Sequence, residues 1–278
     1  MMRIAGLLLV AAMFVLASPG HALGRQSLDE VEAVNTRKLG VEWVVVRPGD
    51  QESSGFALSK DGQLSRAGQP FTPKVEVTDE QGATRSDVDE VRIAPPSPSG
   101  RWSFMTACEP VTSGEPLCWF QYLLDLDKKR LFDLAWAKYP QPVPLYWHAG
   151  ERYVVIPTSG EGELWLVAVD IEKHTAVDIH FELLVLEAAR SAGCRGEEIP
   201  FALDLESLAW SSDGQVDVVV YFDCSQEGKP RRLIARLDPA TGKLKIVADR
   251  VGKIGVATGD ETACAASFFA KNAKKGGS

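Results

Sequence analysis

The sequence predicts an all-β protein in which one four-stranded antiparallel sheet is repeated along the chain. The clearest copy spans residues 208–248, where segments rich in β-branched and aromatic residues alternate with an Asp-Gly signal at 213–214 and a Thr-Gly signal at 241–242. Looser copies span residues 95–134 and 144–179. These stretches predict successive sheets of similar design.

A similar spacing between a turn glycine and a strand-ending aspartate supports the repeat. The pairs are 25, 20 and 24 residues apart: Gly100 and Asp125, Gly150 and Asp170, Gly214 and Asp238. A spacing that persists while the side chains differ is typical of sheets repeated around an axis. We therefore predict a propeller-like array of four-stranded antiparallel blades. A twisted sandwich of two facing sheets is the alternative architecture.

Before the first copy, residues 41–93 contain short alternating segments that predict a hairpin-rich sheet, but these do not align with the repeated unit. Between the second and third copies, residues 181–193 have a helix-forming composition and end in Gly193. We predict a small helical insertion at about 181–196. After the third copy, residues 263–269 are expected to form a last strand that closes the ring with N-terminal residues.

The third copy carries a family resemblance. Trp-Ser-x-Asp-Gly at 210–214 and Leu-Asp-x-x-Thr-Gly-Lys at 237–243 resemble the WD40-like β-propeller repeats of periplasmic TolB-type proteins. The earlier copies match more loosely, with Ser-Gly or Ala-Gly in place of Asp-Gly, and the resemblance covers about half of the mature chain. It implies propeller blades but no particular activity, because such blades serve both enzymes and binding scaffolds.

The N-terminus has the layout of a secretory signal peptide. A basic residue, Arg3, precedes an apolar run at 4–16, and small residues lead to a cleavage point after Ala22. We therefore expect residues 1–22 to be removed and the protein to be periplasmic or secreted. Residues 23–270 are expected to form a single propeller-like domain, and the basic, Gly-ending segment 271–278 a disordered tail.

Charge and hydropathy narrow the range of partners. The chain has 38 acidic against 30 basic residues, a formal net charge of -8, which argues against nucleic acid as a partner. No later apolar run is long enough to span a bilayer, so no transmembrane segment is expected after signal cleavage.

Five cysteines in an exported chain indicate disulfides. Cys108 and Cys118 flank a Pro/Gly loop between two predicted strands, so a bridge between them would close a hairpin. Cys194, Cys224 and Cys264 then compete for one further bridge. We prefer Cys194 with Cys224, which would attach the helical insertion to the third sheet.

No catalytic, metal or cofactor motif stands out in the sequence. His148, His174 and His180 lack the spacing that places two ligands on one metal ion. No Gly-x-Ser-x-Gly nucleophile elbow occurs. We therefore expect no catalytic residues, no metal site and no cofactor.

The candidate binding residues are aromatic or imidazole side chains near predicted turns and a Pro-rich connection, where a ring has less core to enter. They are Trp136, Tyr139, Trp147 and His148. The resulting expectation is an exported, non-catalytic binding or scaffolding module that uses a propeller face or inter-blade loops to bind an envelope protein or a small ligand. The alternative is a hydrolase whose carboxylates converge at the propeller axis.

Overall fold

A computed structural model shows sheets that follow one another along the chain. It describes residues 28, 30–31, 42–50, 54–78, 84–109, 117–134, 143–160, 163–196, 198–224 and 230–250. These residues belong to one compact unit, Gln26–Gly252. The predicted signal peptide (1–22), the predicted strand at 263–269, Cys264 and the predicted tail (271–278) lie outside the described residues.

The described elements are strands and one helix. In chain order they are β1 (Val44–Val46), β2 (Phe56–Leu58), β3 (Leu64–Arg66), β4 (Gln69–Pro70), β5 (Val77–Thr78), β6 (Thr84–Arg85), β7 (Glu90–Ile93), β8 (Trp102–Glu109), β9 (Leu117–Asp125), β10 (Arg130–Asp133), β11 (Tyr146–Trp147), β12 (Tyr153–Gly160), β13 (Glu163–Asp170), β14 (Thr175–Ile179), α1 (Glu182–Ser191), β15 (Phe201–Trp210), β16 (Val216–Asp223), β17 (Pro230–Asp238) and β18 (Lys243–Arg250).

The strands form four antiparallel sheets of three to five strands, with a separate β5–β6 pair. Sheet I has the order β2-β3-β4, sheet II β1-β7-β8-β9-β10, sheet III β11-β12-β13-β14 and sheet IV β15-β16-β17-β18. The predicted all-β class and the repeated antiparallel sheets are confirmed. Sheet II differs from the predicted four strands because β1 pairs with β7, with Val44 opposite Ile93.

Alternating side chains explain how strand β16 is buried on both sides. In β16, Val216, Val218, Val220 and Phe222 are buried and belong to one apolar cluster. The intervening Asp217 points to the opposite face, because successive side chains of a strand alternate. It is nevertheless buried, and it forms a bidentate ion pair with Arg236 of β17 at 2.6 and 2.7 Å.

Each of the three apolar cores lies between two sheets that are consecutive in the chain. The first core joins sheets I and II through residues such as Leu64 and Met105. The middle core joins sheets II and III through residues such as Phe104 and Val167. The last core joins sheets III, IV and helix α1. Sheets II and III are therefore covered on both faces, unlike the sheets of a two-layer sandwich.

Helix α1 occupies the predicted insertion between the second and third copies. Val185, Ala188 and Ala189 are buried in the last core, whereas Leu183 is 77% exposed. The chain after the helix is tied to sheet IV by the predicted Cys194–Cys224 disulfide.

The first predicted disulfide is also present, and it links two neighbouring strands of sheet II. Cys108 and Cys118 are bonded and lie opposite each other on β8 and β9.

Helix α1 is held to sheet IV by a hydrogen bond as well as by the Cys194–Cys224 disulfide. Arg231 of β17 donates this hydrogen bond to the Ala192 carbonyl at 3.0 Å.

The turns after the predicted strand-ending aspartates are equivalent. Asp125 Oδ1 accepts the amides of Asp127 and Lys128, at 3.1 and 3.0 Å. Asp170 Oδ1 accepts the corresponding amides of its own turn, both at 3.1 Å. The residue four positions after each aspartate, Asp125, Asp170 or Asp238, has a left-handed backbone conformation. These residues of sheets II, III and IV are Lys129 (φ 55), His174 (φ 55) and Gly242 (φ 69).

Candidate functional site

The turns at one end of the sheets share a serine-based geometry. The side-chain oxygen of the first residue accepts a backbone amide from the end of the same turn, and a glycine in between is left-handed. In sheet I, Ser59 Oγ accepts Gln63 N at 2.9 Å, with Gly62 at φ 75. In sheet IV, Ser211 Oγ accepts Gln215 N at 3.1 Å, with Gly214 at φ 76.

The turn of sheet II follows the same plan with one more residue. Ser97 Oγ accepts the amide of Trp102 at 3.2 Å, and the left-handed residue is Gly100 at φ 78. The sequence repeat therefore reflects a repeated hydrogen-bonding pattern. The same hydrogen-bonding pattern occurs in the turn at Ser59, although the sequence of residues 41–93 did not align with the repeated unit.

The turn of sheet III departs from this plan at its first residue, His148. Here the imidazole Nδ1 accepts the backbone amide of Gly150 at 3.2 Å. The left-handed residue is Glu151, at φ 51, rather than Gly150. Matching Gly150 with the other turn glycines was therefore wrong by one residue, because a glycine marks this position in the other turns but a glutamate occupies it here.

Glu151 connects sheet III to sheet II. Its carboxylate accepts the Ser97 hydroxyl at 3.0 Å, the Ser99 amide at 2.5 Å and the Ser99 hydroxyl at 2.6 Å. Burial alone would raise the pKa of Glu151, but these hydrogen bonds outweigh it and the pKa is lowered. The charged carboxylate thus fastens one turn to its neighbour.

Three half-buried aromatic or imidazole side chains lie where the first strands of sheets III and IV face each other. We call Tyr146, His148 and Trp210 the aromatic cluster. The rings of His148 and Trp210 meet edge to face, with centroids 4.9 Å apart. Trp210 Nε1 donates to the Tyr146 carbonyl at 3.3 Å, and Tyr146 Oη donates to the Leu205 carbonyl at 3.0 Å. Each ring is therefore held in place by a polar contact or by another ring.

The surroundings of the cluster keep the Tyr146 hydroxyl protonated. Burial, with the nearby carboxylates of Asp204 and Glu206, raises the pKa of Tyr146 to about 12, so its hydroxyl stays protonated and can donate. Because Nδ1 of neutral His148 accepts a hydrogen bond, the proton of the ring is assigned to Nε2. Nε2 lies 3.9 Å from where a Cβ on Gly214 would stand.

Only part of the predicted binding set enters this cluster. His148 does, whereas its neighbour Trp147 packs against the middle core, on the other face of sheet III. The consecutive residues of β11 divide in the same way, because Tyr146 packs against the last core and Trp147 against the middle core. Trp136 and Tyr139 lie outside the described residues. Trp210 was missed because it belongs to a different repeat from His148, whereas Tyr146 lies in the same strand as the predicted Trp147.

A second histidine lies in the seam between sheets II and III. The ring of His174 stacks on Phe132, with centroids 3.5 Å apart and planes inclined by 15°. Burial lowers the pKa of His174, and the charge of Arg130 lowers it further, so the neutral ring is favoured in the folded protein. This ring packs as an aromatic side chain at the seam.

Among the described residues, one group of potential metal ligands is close together: Glu90, Cys108 and Cys118, all buried. Both sulfur atoms belong to a disulfide, and the Glu90 carboxylate lies 3.0 Å from Arg47 and 2.7 Å from Arg92. A thiolate, not a disulfide sulfur, is the usual metal ligand. The geometry therefore fits a charge pair beside a cross-strand disulfide.

Comparisons with known proteins add distant likenesses. No protein-family model matches the sequence, and no curated protein matches it. Solved structures similar to this chain include TolB from Acinetobacter baumannii (13% identity, TM-score 0.29, covering 75% of this chain and 41% of that chain). Others are Kuenenia stuttgartiensis hydrazine synthase (11%, 0.30, 76% and 56%) and Porphyromonas gingivalis dipeptidyl peptidase 4 (10%, 0.34, 82% and 36%). Because these TM-scores are low, the architecture described above depends on the sheets and turns alone.

Proposed function

We propose that the protein is an exported, non-catalytic binding module of the periplasm or cell envelope, and that the aromatic cluster contacts its partner. The observation that supports this proposal is the cluster itself: Tyr146, His148 and Trp210 are half-buried and fixed across two sheets. Rings that are already ordered lose little conformational freedom on binding, and aromatic side chains dominate many binding surfaces.

Export is supported by the two disulfides, because such bonds persist in oxidising compartments. Within the described part of the chain, no helix has the length and apolar character needed to cross a membrane.

The partner that fits best is another envelope protein. The acidic balance of the chain disfavours nucleic acid, whose phosphates require positive charge. The aromatic cluster, by contrast, suits a peptide segment that offers apolar side chains and backbone carbonyls. An aromatic ring supplies apolar contact area, and a ring N–H can donate a hydrogen bond to a carbonyl.

The buried carboxylates of sheets II to IV have structural partners, which gives less support to the hydrolase alternative. Asp125 lies 3.0 Å from Arg101, Asp170 lies 3.3 Å from Lys173, and Asp217 pairs with Arg236. Burial alone would raise the pKa values of Asp125 and Asp170, but their hydrogen bonds and cations lower both. A catalytic acid needs the opposite shift.

The test is affinity capture from envelope extract, followed by titration calorimetry with the captured partner after purification. Trp210→Leu removes a ring of the aromatic cluster, and Trp147→Leu is a matched control from the opposite face of sheet III. We expect the first variant to lose binding and the second to retain it. Urea unfolding of both variants shows whether they are folded.

The proposal is wrong if both variants bind as the wild type does, or if both lose binding while folded. Hydrolysis of a model ester, glycoside or phosphate substrate by the wild type, abolished by Asp125→Asn, would instead support the hydrolase.

A further inference from the structure

His148 is the titratable member of a set of otherwise serine-based turns. At the equivalent position Ser59, Ser97 and Ser211 use a hydroxyl oxygen to accept a backbone amide, at 2.9, 3.2 and 3.1 Å. The donating amide is four or five residues after each serine, whereas for His148 it is two residues on, at Gly150. A hydroxyl accepts a backbone amide at any physiological pH. An imidazole accepts it only while neutral, because both ring nitrogens are donors in the protonated form.

We propose that the turn between β11 and β12 is a pH-sensitive element, in which protonation of His148 breaks the Gly150 hydrogen bond and loosens the aromatic cluster. The Gly150 amide donates to Nδ1 of His148 at 3.2 Å. A proton added to Nδ1 replaces this hydrogen bond with a repulsive contact between two N–H groups. An imidazole ordinarily gains its proton between about pH 8 and pH 5.

The charged groups around His148 include Asp204 and Glu206, whose carboxylates act on Tyr146 in the same cluster. On its own turn, Glu151 is engaged by Ser97 and Ser99, and Arg152 lies 3.6 Å from Glu172. On the facing turn of sheet IV, Asp213 is hydrogen-bonded to the Ser211 hydroxyl. Protonation of Nδ1 therefore removes the Gly150 hydrogen bond whether or not the ring then pairs with one of these carboxylates.

Movement of the His148 ring would disturb contacts that sheet III makes with sheets II and IV. His148 contacts Trp210 of sheet IV, and its turn places Glu151 against the Ser97 turn of sheet II. Loosening the turn would therefore weaken the carboxylate link on one side and the ring contact on the other. If the aromatic cluster binds a partner as proposed above, binding would weaken on acidification. This last step depends on the proposed function, whereas the release of the turn does not.

The experiment uses nitrogen-15 NMR of the mature protein without any partner, from pH 8 to pH 5. At pH 8, the shifts of the His148 ring nitrogens should identify the tautomer protonated at Nε2. On acidification, protection of the Gly150 amide from exchange should fall about threefold to tenfold relative to that of the Gln215 amide, which a serine oxygen accepts in sheet IV. The ratio removes the intrinsic pH dependence of exchange.

His148→Ser is the matched variant, because it installs a hydroxyl, which does not gain a proton between pH 8 and pH 5. We expect its protection ratio to be the same at both pH values. The proposal is overturned if the wild-type ratio is also constant, if the variant shows the same fall, or if His148 carries its proton on Nδ1 at pH 8. A pH-sensitive turn in a protein whose captured partner ignores Trp210→Leu would refute the proposed function and leave this inference standing.

Discussion

Replacing Glu151 tests both the link between sheets II and III and the repeat itself. Glu151→Ala removes the carboxylate that accepts three hydrogen bonds from Ser97 and Ser99. Hydrogen bonds to a charged group contribute about 1.5 to 3 kcal/mol each when buried, but this side chain is half-buried and screened by solvent. We therefore expect a total loss of about 2 kcal/mol in the free energy of unfolding.

Glu151→Gly should cost less than Glu151→Ala, although glycine usually destabilises more. Residue 151 is left-handed at φ 51, where Gly62, Gly100 and Gly214 stand in the other turns. A side chain in this conformation is strained by about 1 to 2 kcal/mol, and glycine relieves the strain at some entropic cost in the unfolded chain. The glycine variant should therefore be about 1 kcal/mol more stable than the alanine variant.

Urea unfolding followed by far-ultraviolet circular dichroism measures these differences, with Glu151→Gln as a third variant. The pKa of Glu151 is lower in the folded protein than its ordinary value of 4.5. The charged carboxylate therefore stabilises the fold at pH values above 4.5, and this contribution is lost as the pH falls through the lowered pKa. The glutamine variant should lack this acid dependence. Equal stability of the glycine and alanine variants at pH 7, or a glutamine variant as stable as the wild type, would refute the reasoning.

The remaining predictions concern the other links between elements. Replacing Cys194 and Cys224 with alanine opens a link with a sequence separation of 30 and should cost about 3 to 4 kcal/mol, more than opening the shorter β8–β9 disulfide, as measured by urea unfolding. Asp217→Leu should cost about 3 kcal/mol by leaving Arg236 without its partner, whereas the double variant with Arg236→Met should lie within about 1 kcal/mol of the wild type in the same assay. The lowered pKa of His174 means that stability is lost as the pH falls below about 6.5, so His174→Asn should show a shallower decline in thermal midpoint between pH 7 and pH 5.

Local signals in the sequence were sufficient for the later sheets. Alternating apolar residues and the Asp-Gly and Thr-Gly turns placed β16, β17 and β18 within a few residues of their observed bounds. The start of β15 was missed, because residues 201–207 follow the helical insertion and carry acidic residues within the alternation. The Cys108–Cys118 pairing was predicted from the hairpin that these cysteines flank, and the Cys194–Cys224 pairing was the preferred one of those open to Cys194, Cys224 and Cys264.

Contacts between distant segments could not be predicted in this way. The pairing of β1 with β7 joins residues almost 50 positions apart, and nothing in the three residues of β1 specifies that partner. The aromatic cluster presents the same difficulty, because the contact between His148 and Trp210 depends on how sheets III and IV face each other. Sequence reasoning found the imidazole from its turn but not the ring that it meets.

Sheet I is best understood as a reduced copy of the repeated unit. Its turn has the same Ser-x-Asp-Gly-Gln sequence at 59–63 as sheet IV has at 211–215, with the same amide bonded to the serine oxygen. Its strands have only two or three residues, and residues 41–93 did not align with the repeated unit in the sequence. A Cβ on Gly62 would stand 2.5 Å from the Val75 carbonyl oxygen, so this turn is also packed tightly against the following chain. Sheet I covers a face of sheet II that would otherwise expose apolar residues such as Met105. It therefore buries this face as a full four-stranded sheet would.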